Sequence, residues 1–103
     1  MVFALIEDKR EALTALCRKY GVKRMHVFGS ASRDDFRPGE SDVDLLVEFE
    51  TEDPFELADS YFALLDDLRE VLGTAVDLVM SDAIKNRYIR DEVERTKQIL
   101  YAA

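Results

Sequence analysis

Three aspartates within apolar segments are the residues of this sequence best suited to chemistry. Asp42 and Asp44 flank Val43 at the start of an apolar run, and Asp77 stands in a second run, Ala75–Met80. Residues at i and i+2 of a strand point to the same face, about 7 Å apart along it. Asp is depleted in strands, and a half-buried carboxylate is costly unless a positive group compensates it. The acids therefore predict a cation site.

A glycine–serine pair precedes the acids. Gly29 and Ser30 follow Phe28, and eleven residues separate Ser30 from Asp42. Glycine lets the backbone approach a phosphate closely, serine adds a hydroxyl, and the N-terminus of a following helix adds amide donors. Taken alone, the pair better fits a strand-to-helix turn with a serine cap.

The acids also have plainer interpretations. Asp42 and Asp44 could face water where a strand begins, or bind calcium, and Asp77 could be an ordinary acid of an edge strand. The EF-hand pattern fails, because Leu45–Val47 are apolar where that loop needs further polar ligands and a glycine. Only the whole set of residues favours the cation site.

Composition limits the classes of protein to consider. The chain has 103 residues, 48% of them hydrophobic, which predicts one globular domain over residues 1–103. A net charge of −8 argues against binding duplex nucleic acid, while metal ions could still bridge a triphosphate to carboxylates. No apolar run approaches the roughly 20 residues that span a bilayer, so no membrane partner is expected. The single cysteine, Cys17, is expected in the core and fits a reducing cytoplasm.

Hydrophobic periodicity predicts alternating helices and strands. Gly21 and Gly73 end two of the helices, and Asp53 caps the helix that begins at Pro54. The predicted order is αβαβαβα, with helices over 3–20, from about 30, over 54–72 and over about 83–101. The predicted strands are a short one within 22–28, best placed at 25–28, and two longer ones over 42–49 and 75–80. Ser81 or Asp82 is expected to cap the last helix. The fold class is α/β (α+β), a small mixed sheet of about three to four strands packed with helices.

The strand register refines the site. Val43 and Leu45 share one face of their strand, and Asp42 and Asp44 share the other. If the strands of Asp44 and Asp77 are neighbours, all three acids lie on the face away from the helices. Such a face can hold two divalent cations about 3.5–4 Å apart, as two-metal phosphoryl chemistry requires.

These motifs resemble a known family. Gly29-Ser30, the eleven-residue spacer, Asp42-Val43-Asp44 and the later Asp77 resemble the signature of the DNA polymerase β-like nucleotidyltransferase superfamily. The segment 27–47 resembles its smallest branch, the minimal nucleotidyltransferases encoded beside HEPN-domain proteins in bacteria and archaea. The resemblance covers nearly the whole chain and implies a polymerase β-like palm.

The resemblance implies roles for the acids. Asp42 and Asp44 would hold two Mg²⁺ ions that bridge the triphosphate of ATP. Asp77 would complete the site of the metal that activates the attacking hydroxyl, and could accept its proton.

The nucleotide-binding residues implied by the resemblance are Gly29, Ser30 and Arg33. Arg33 follows Ser30 by three residues, one turn along the expected short helix. Contact with phosphate and pairing with Asp34 or Glu40 are equally good interpretations of this arginine.

The resemblance also implies an activity. Members of this branch are antitoxins that transfer AMP from ATP to a tyrosine of a HEPN ribonuclease toxin and release pyrophosphate. The expected partners are therefore a HEPN-domain toxin and a nucleoside triphosphate. Two alternatives remain: a nucleotidyltransferase acting on an antibiotic or another small molecule, and a non-catalytic antitoxin that acts by binding.

Overall fold

The computed structural model describes residues 6–28, 43–81 and 85–103. Within these ranges the order of elements is αββαβαβ, a mixture of helices and strands as predicted for the α/β class. The elements are β1 (Val22–Phe28), β2 (Val43–Phe49), β3 (Val76–Met80) and β4 (Gln98–Ala102), with helices α1 (Arg10–Lys19), α2 (Pro54–Leu72) and α3 (Arg87–Thr96). The helical turn expected from about residue 30 lies outside the described residues.

The strands form one mixed sheet in the order β3-β2-β1-β4. β1 is antiparallel to both β2 and β4, whereas β2 and β3 are parallel. Parallel neighbours need a crossover connection, and α2 supplies it, so β2, α2 and β3 form a βαβ unit. The fold class is confirmed, with four strands in the described sheet.

The sequence of α2 explains its position. The Asp53 side chain accepts hydrogen bonds from the backbone N–H groups of Phe55 and Glu56, and Pro54 occupies the first turn. Gly73 ends the helix in a left-handed conformation with φ of 66°, which glycine adopts without steric cost. The predicted bounds of this helix are confirmed.

α1 and α2 cover one face of the sheet and form the main core there. Cys17 is 1% exposed within this core, as predicted, and burial raises the pKa of its thiol to about 11. The fully or nearly buried apolar side chains of this core are Ile6, Leu13, Cys17, Val22, Met25, Val27, Val43, Leu45, Val47, Leu64, Leu68, Leu72, Val76 and Leu78.

The C-terminal part differs from the prediction. Helix α3 begins after Asn86, whose side chain caps the N–H groups of Tyr88 and Ile89, so the expectation of a cap at Ser81 or Asp82 is wrong. The predicted helix over 83–101 is too long, because Lys97 adopts an extended conformation and residues 98–102 form β4. β4 pairs with the edge of β1, whose backbone groups would otherwise lack strand partners on that side.

Candidate active site

Asp44 and Asp77 lie side by side on neighbouring strands. They are directly paired in the parallel register of β2 and β3, and neighbouring strands are about 4.8 Å apart. The adjacency of these two strands, on which the sequence argument depended, is confirmed. Two of the three predicted acids are therefore adjacent on the sheet.

The acid pair faces away from the main core. Val43 and Leu45, which flank Asp44, are 0% exposed beneath the helices, so Asp44 points to the opposite face. Val76 and Leu78 flank Asp77 in the same way. Asp44 is half-buried and Asp77 is exposed, which leaves the pair open to solvent on this face.

Paired carboxylates have an electrostatic cost. Like charges directly opposite each other on adjacent strands destabilise the pair by roughly 0.2–1 kcal/mol. A cation bound between Asp44 and Asp77 would attract both carboxylates and so offset their repulsion. Carboxylate oxygens are hard ligands of the kind that Mg²⁺ prefers.

The remaining predicted site residues lie outside the described ranges. They are Gly29, Ser30, Arg33 and Asp42. In residues 6–28, 43–81 and 85–103 no group of three or more His, Cys, Asp or Glu side chains is arranged to hold a metal ion. The acid pair is thus two residues of the predicted set, and the role of all three acids as metal ligands stays a prediction.

The residue that precedes the glycine–serine pair in the sequence adjoins Asp44 in the sheet. Phe28, the last residue of β1, is the antiparallel partner of Asp44. Gly29 follows Phe28 in the sequence, and Asp42 precedes Val43, the first residue of β2. The two strand ends that border this segment therefore meet beside Asp44.

A small apolar cluster borders the acid pair. Val93 of α3, 2% exposed, packs against Leu46, and Phe28 and Val79 surround them. Leu46 and Val79 are each two residues beyond an acid, so they lie on the same face. Packing of α3 against this face was not predicted, because the periodicity of α3 does not show which surface its apolar side meets.

His26 lies on the same face, one pair further along β1 from Phe28. It is half-buried between Leu46 of β2 and Ile99 of β4. Burial, and secondly the charge of Lys97, lowers the pKa of His26 below its ordinary value of 6.5. The imidazole is therefore neutral near pH 7 and not suited to balance the acids.

One cavity in the described part lies at the C-terminal ends of β2 and β3, whereas the acid pair lies near their N-terminal ends. Its volume is about 520 Å³, and Glu48, Phe49 and Met80 are among its lining residues. Phe49 is five residues beyond Asp44 on β2, about 16 Å at the rise of a strand. This cavity does not contribute to the site formed by the acids.

The chain belongs to the family of the nucleotidyltransferase domain, whose model matches residues 9–100. It is a nucleotidyltransferase. A Methanocaldococcus jannaschii protein with the provisional name protein adenylyltransferase is 45% identical over 80 residues, which cover 77% of this chain and 76% of that protein.

Solved structures agree with the nucleotidyltransferase family and indicate the branch within it. One, provisionally described as a minimal nucleotidyltransferase, is 33% identical, with a TM-score of 0.69 and coverage of 95% of both chains. Another is a Shewanella oneidensis complex of a tri-AMPylated HEPN toxin with a minimal nucleotidyltransferase antitoxin. Its matching chain has 20% identity, a TM-score of 0.64, and coverage of 94% of this chain and 72% of that one, so it establishes likeness of fold. The resemblance to minimal nucleotidyltransferases is confirmed.

Proposed function

We propose that this chain is the antitoxin of a toxin–antitoxin pair, acting in the cytoplasm as a Mg²⁺-dependent protein adenylyltransferase. It transfers AMP from ATP to a tyrosine hydroxyl of a partner HEPN toxin and releases pyrophosphate. The observation that carries this proposal is the pairing of Asp44 with Asp77 on the open face of the sheet. The names of the relatives support the transferred group and the partner.

The acids have separate roles in the proposed reaction. Asp44, with Asp42, would hold the metals that contact the triphosphate, and Asp77 would be a further ligand beside the attacking hydroxyl. Two Mg²⁺ ions, when bound, supply Lewis-acid activation of the hydroxyl and neutralise charge on the leaving group. Asp77, which is exposed and on an edge strand, would receive the hydroxyl proton and pass it to water.

The bond changes follow in-line phosphoryl transfer. The tyrosine oxygen forms a bond to the α-phosphorus while the bond from that phosphorus to the α,β-bridging oxygen breaks, and pyrophosphate leaves with the electron pair. Gly29 and Ser30 would bind phosphate through backbone amides and a hydroxyl, and Arg33 is the third proposed nucleotide-binding residue. The chain mainly positions the reactants and neutralises charge.

The test uses the chain, MgATP and the HEPN-domain protein encoded beside its gene. Mass spectrometry should detect additions of AMP on a tyrosine of the partner, together with loss of its ribonuclease activity. Asp44→Asn and Asp42→Asn should each abolish the addition, and Asp91→Asn on the exposed surface of α3 should not. Silencing of the partner without a change in its mass would instead establish an antitoxin that acts by binding alone.

A further inference from the structure

Helix α2 presents an aromatic surface to solvent. Phe55 is 84% exposed and Phe62 is 64% exposed, and their separation of seven residues places them on one side of the helix, about 10 Å apart. Beside them lies a groove of about 410 Å³ with a predominantly apolar lining. The groove residues are Pro54, Leu57, Ala58, Tyr61, Phe62 and Met80. Phe55, Phe62 and this groove are called the aromatic face below.

The part of the aromatic face around Phe62 is held in place before any partner binds. The rings of Phe62 and Tyr61 pack edge to face, with centroids 5.2 Å apart and an interplanar angle of 86°. The Tyr61 hydroxyl in turn donates a hydrogen bond to the carbonyl oxygen of Leu78. A fixed aromatic side chain loses little conformational entropy on binding, which favours its use as an anchor.

The charge around the aromatic face indicates what charge its partner carries. The segment 50–67 contains seven Asp or Glu residues and no Lys or Arg. Asp59 and Asp66 are exposed and follow Phe55 at four and eleven residues, so they lie on the same side of α2. A second copy of the chain docked here would set these acids against their own counterparts, which like-charge repulsion disfavours. A basic partner is favoured.

The groove also borders β3, the strand that carries Asp77. Met80 lines the groove, and Asp77 is three residues earlier on the same strand, about 10 Å away. β3 is the edge strand on this side of the described sheet. Met80 shares the helix-covered face of β3 with Val76 and Leu78, so a protein bound in the groove has to extend around this edge strand to reach the face that bears Asp44 and Asp77.

We propose that the aromatic face docks an amphipathic helix of the acceptor protein, with apolar residues about two turns apart and flanking Lys or Arg residues. This proposal rests on the proposed function, because it takes the HEPN protein as the occupant. The partner's apolar residues fill the groove beside Phe62 and cover Phe55, and its basic residues meet Asp59 and Asp66. From this edge another part of the acceptor extends around β3 and presents its tyrosine to the acids.

The experiment measures the dissociation constant of the chain with the HEPN protein encoded beside its gene, by titration calorimetry. Phe55→Ala with Phe62→Ala should weaken binding by about tenfold or more. Tyr88→Ala on α3 is the matched control, since Tyr88 is also 84% exposed, and it should leave binding within about twofold. Because all three side chains are exposed, circular dichroism should record unchanged folding.

A second pair of variants tests the charge argument. Asp59→Lys with Asp66→Lys should weaken the complex strongly at low salt and less at high salt, since surface charges are screened. Asp8→Lys with Asp91→Lys, at two exposed acids outside α2, is the control because it changes the net charge by the same amount. Equal effects of the two charge changes would overturn the proposal, as would binding that is insensitive to Phe55→Ala with Phe62→Ala.

Transfer of AMP is followed in the same samples, so that two failures can be separated. A complex that depends on the aromatic face but transfers no AMP leaves the docking proposal standing and refutes the proposed function. If AMP is transferred but the variants do not change the dissociation constant, the docking proposal is refuted and the proposed function stands. Absence of a complex overturns the docking proposal. So does a dimer of the chain alone, detected by sedimentation, that dissociates when Phe55 and Phe62 are replaced.

Discussion

The Tyr61 hydroxyl of α2 donates a hydrogen bond of 2.5 Å to the carbonyl oxygen of Leu78 on β3. Leu78 immediately follows Asp77, and its side chain is 3% exposed beneath the helices. β3 has a described strand partner on one side only, so this bond adds a second attachment to the edge strand. It helps to fix Asp77 at the level of Asp44.

Tyr61→Phe should destabilise the protein by about 1 kcal/mol, because it removes the hydroxyl and leaves the Leu78 carbonyl without that donor. The measurement is the midpoint of urea unfolding. Tyr88→Phe is the control, since Tyr88 is exposed and its hydroxyl already faces water. Equal midpoints for Tyr61→Phe and the unchanged protein would show that the bond contributes nothing to stability.

Asp77→Asn should separate stability from activity. Without metal it relieves repulsion with Asp44 across the β2–β3 pair and should raise the free energy of unfolding by roughly 0.2–1 kcal/mol. AMP transfer should fall strongly, and Mg²⁺ with ATP should raise the melting temperature less than in the unchanged protein. Normal turnover by Asp77→Asn would remove this residue from the proposed catalytic set.

His26 predicts a pH dependence of stability. Its pKa is lowered by burial first and by Lys97 and Arg24, while Glu48 and Glu94 oppose the shift. The lowered pKa means that the unfolded state binds the proton more readily than the folded state. His26 therefore does not reduce stability above about pH 6.5, where it is neutral in both states. As the pH falls from there through the lowered pKa, His26 destabilises the fold. Melting temperatures of His26→Gln should decline less on acidification than those of the unchanged protein. Parallel declines would contradict the prediction.

Cys17 should be unreactive in the folded protein. The side chain is 1% exposed, and burial raises the thiol pKa to about 11, whereas the reactive form is the thiolate. Labelling by a thiol reagent at pH 8 should therefore proceed only as fast as the chain opens, and should become immediate in urea. Immediate labelling under native conditions would disprove the assignment of Cys17 to the core.

The sequence predicted best the parts whose signals are local. Asp53 and Gly73 mark both ends of α2 by side-chain chemistry and left-handed backbone geometry, and the structure places its ends there. The two-residue alternation of a strand assigned Asp44 and Asp77 to the face away from the helices, and this is confirmed. Their direct pairing was only a condition of that argument, because strand pairing is non-local and leaves no mark on either segment.

The C-terminal prediction was wrong for a related reason. Val93, Lys97 and Leu100 continue a helical spacing, so periodicity alone extends the helix beyond its end at Thr96. The side of β1 that faces away from β2 provides backbone hydrogen-bond partners for residues 98–102. Hydrophobic periodicity carries no information about such pairing. Leu100 and Tyr101 also pack against the main core. Long-range pairing and burial therefore decided the local conformation.

Placement of β4 beside β1 has a consequence for the order of folding during synthesis. β1 is made early and pairs with β2, but its other side receives a partner only when residues 98–102 have been made. Arg10 of α1 also donates a hydrogen bond of 3.3 Å to the Leu100 carbonyl oxygen. A chain truncated after α3 would thus expose both a strand side and part of the core. Full native packing, and any function that depends on it, has to await translation of the final strand.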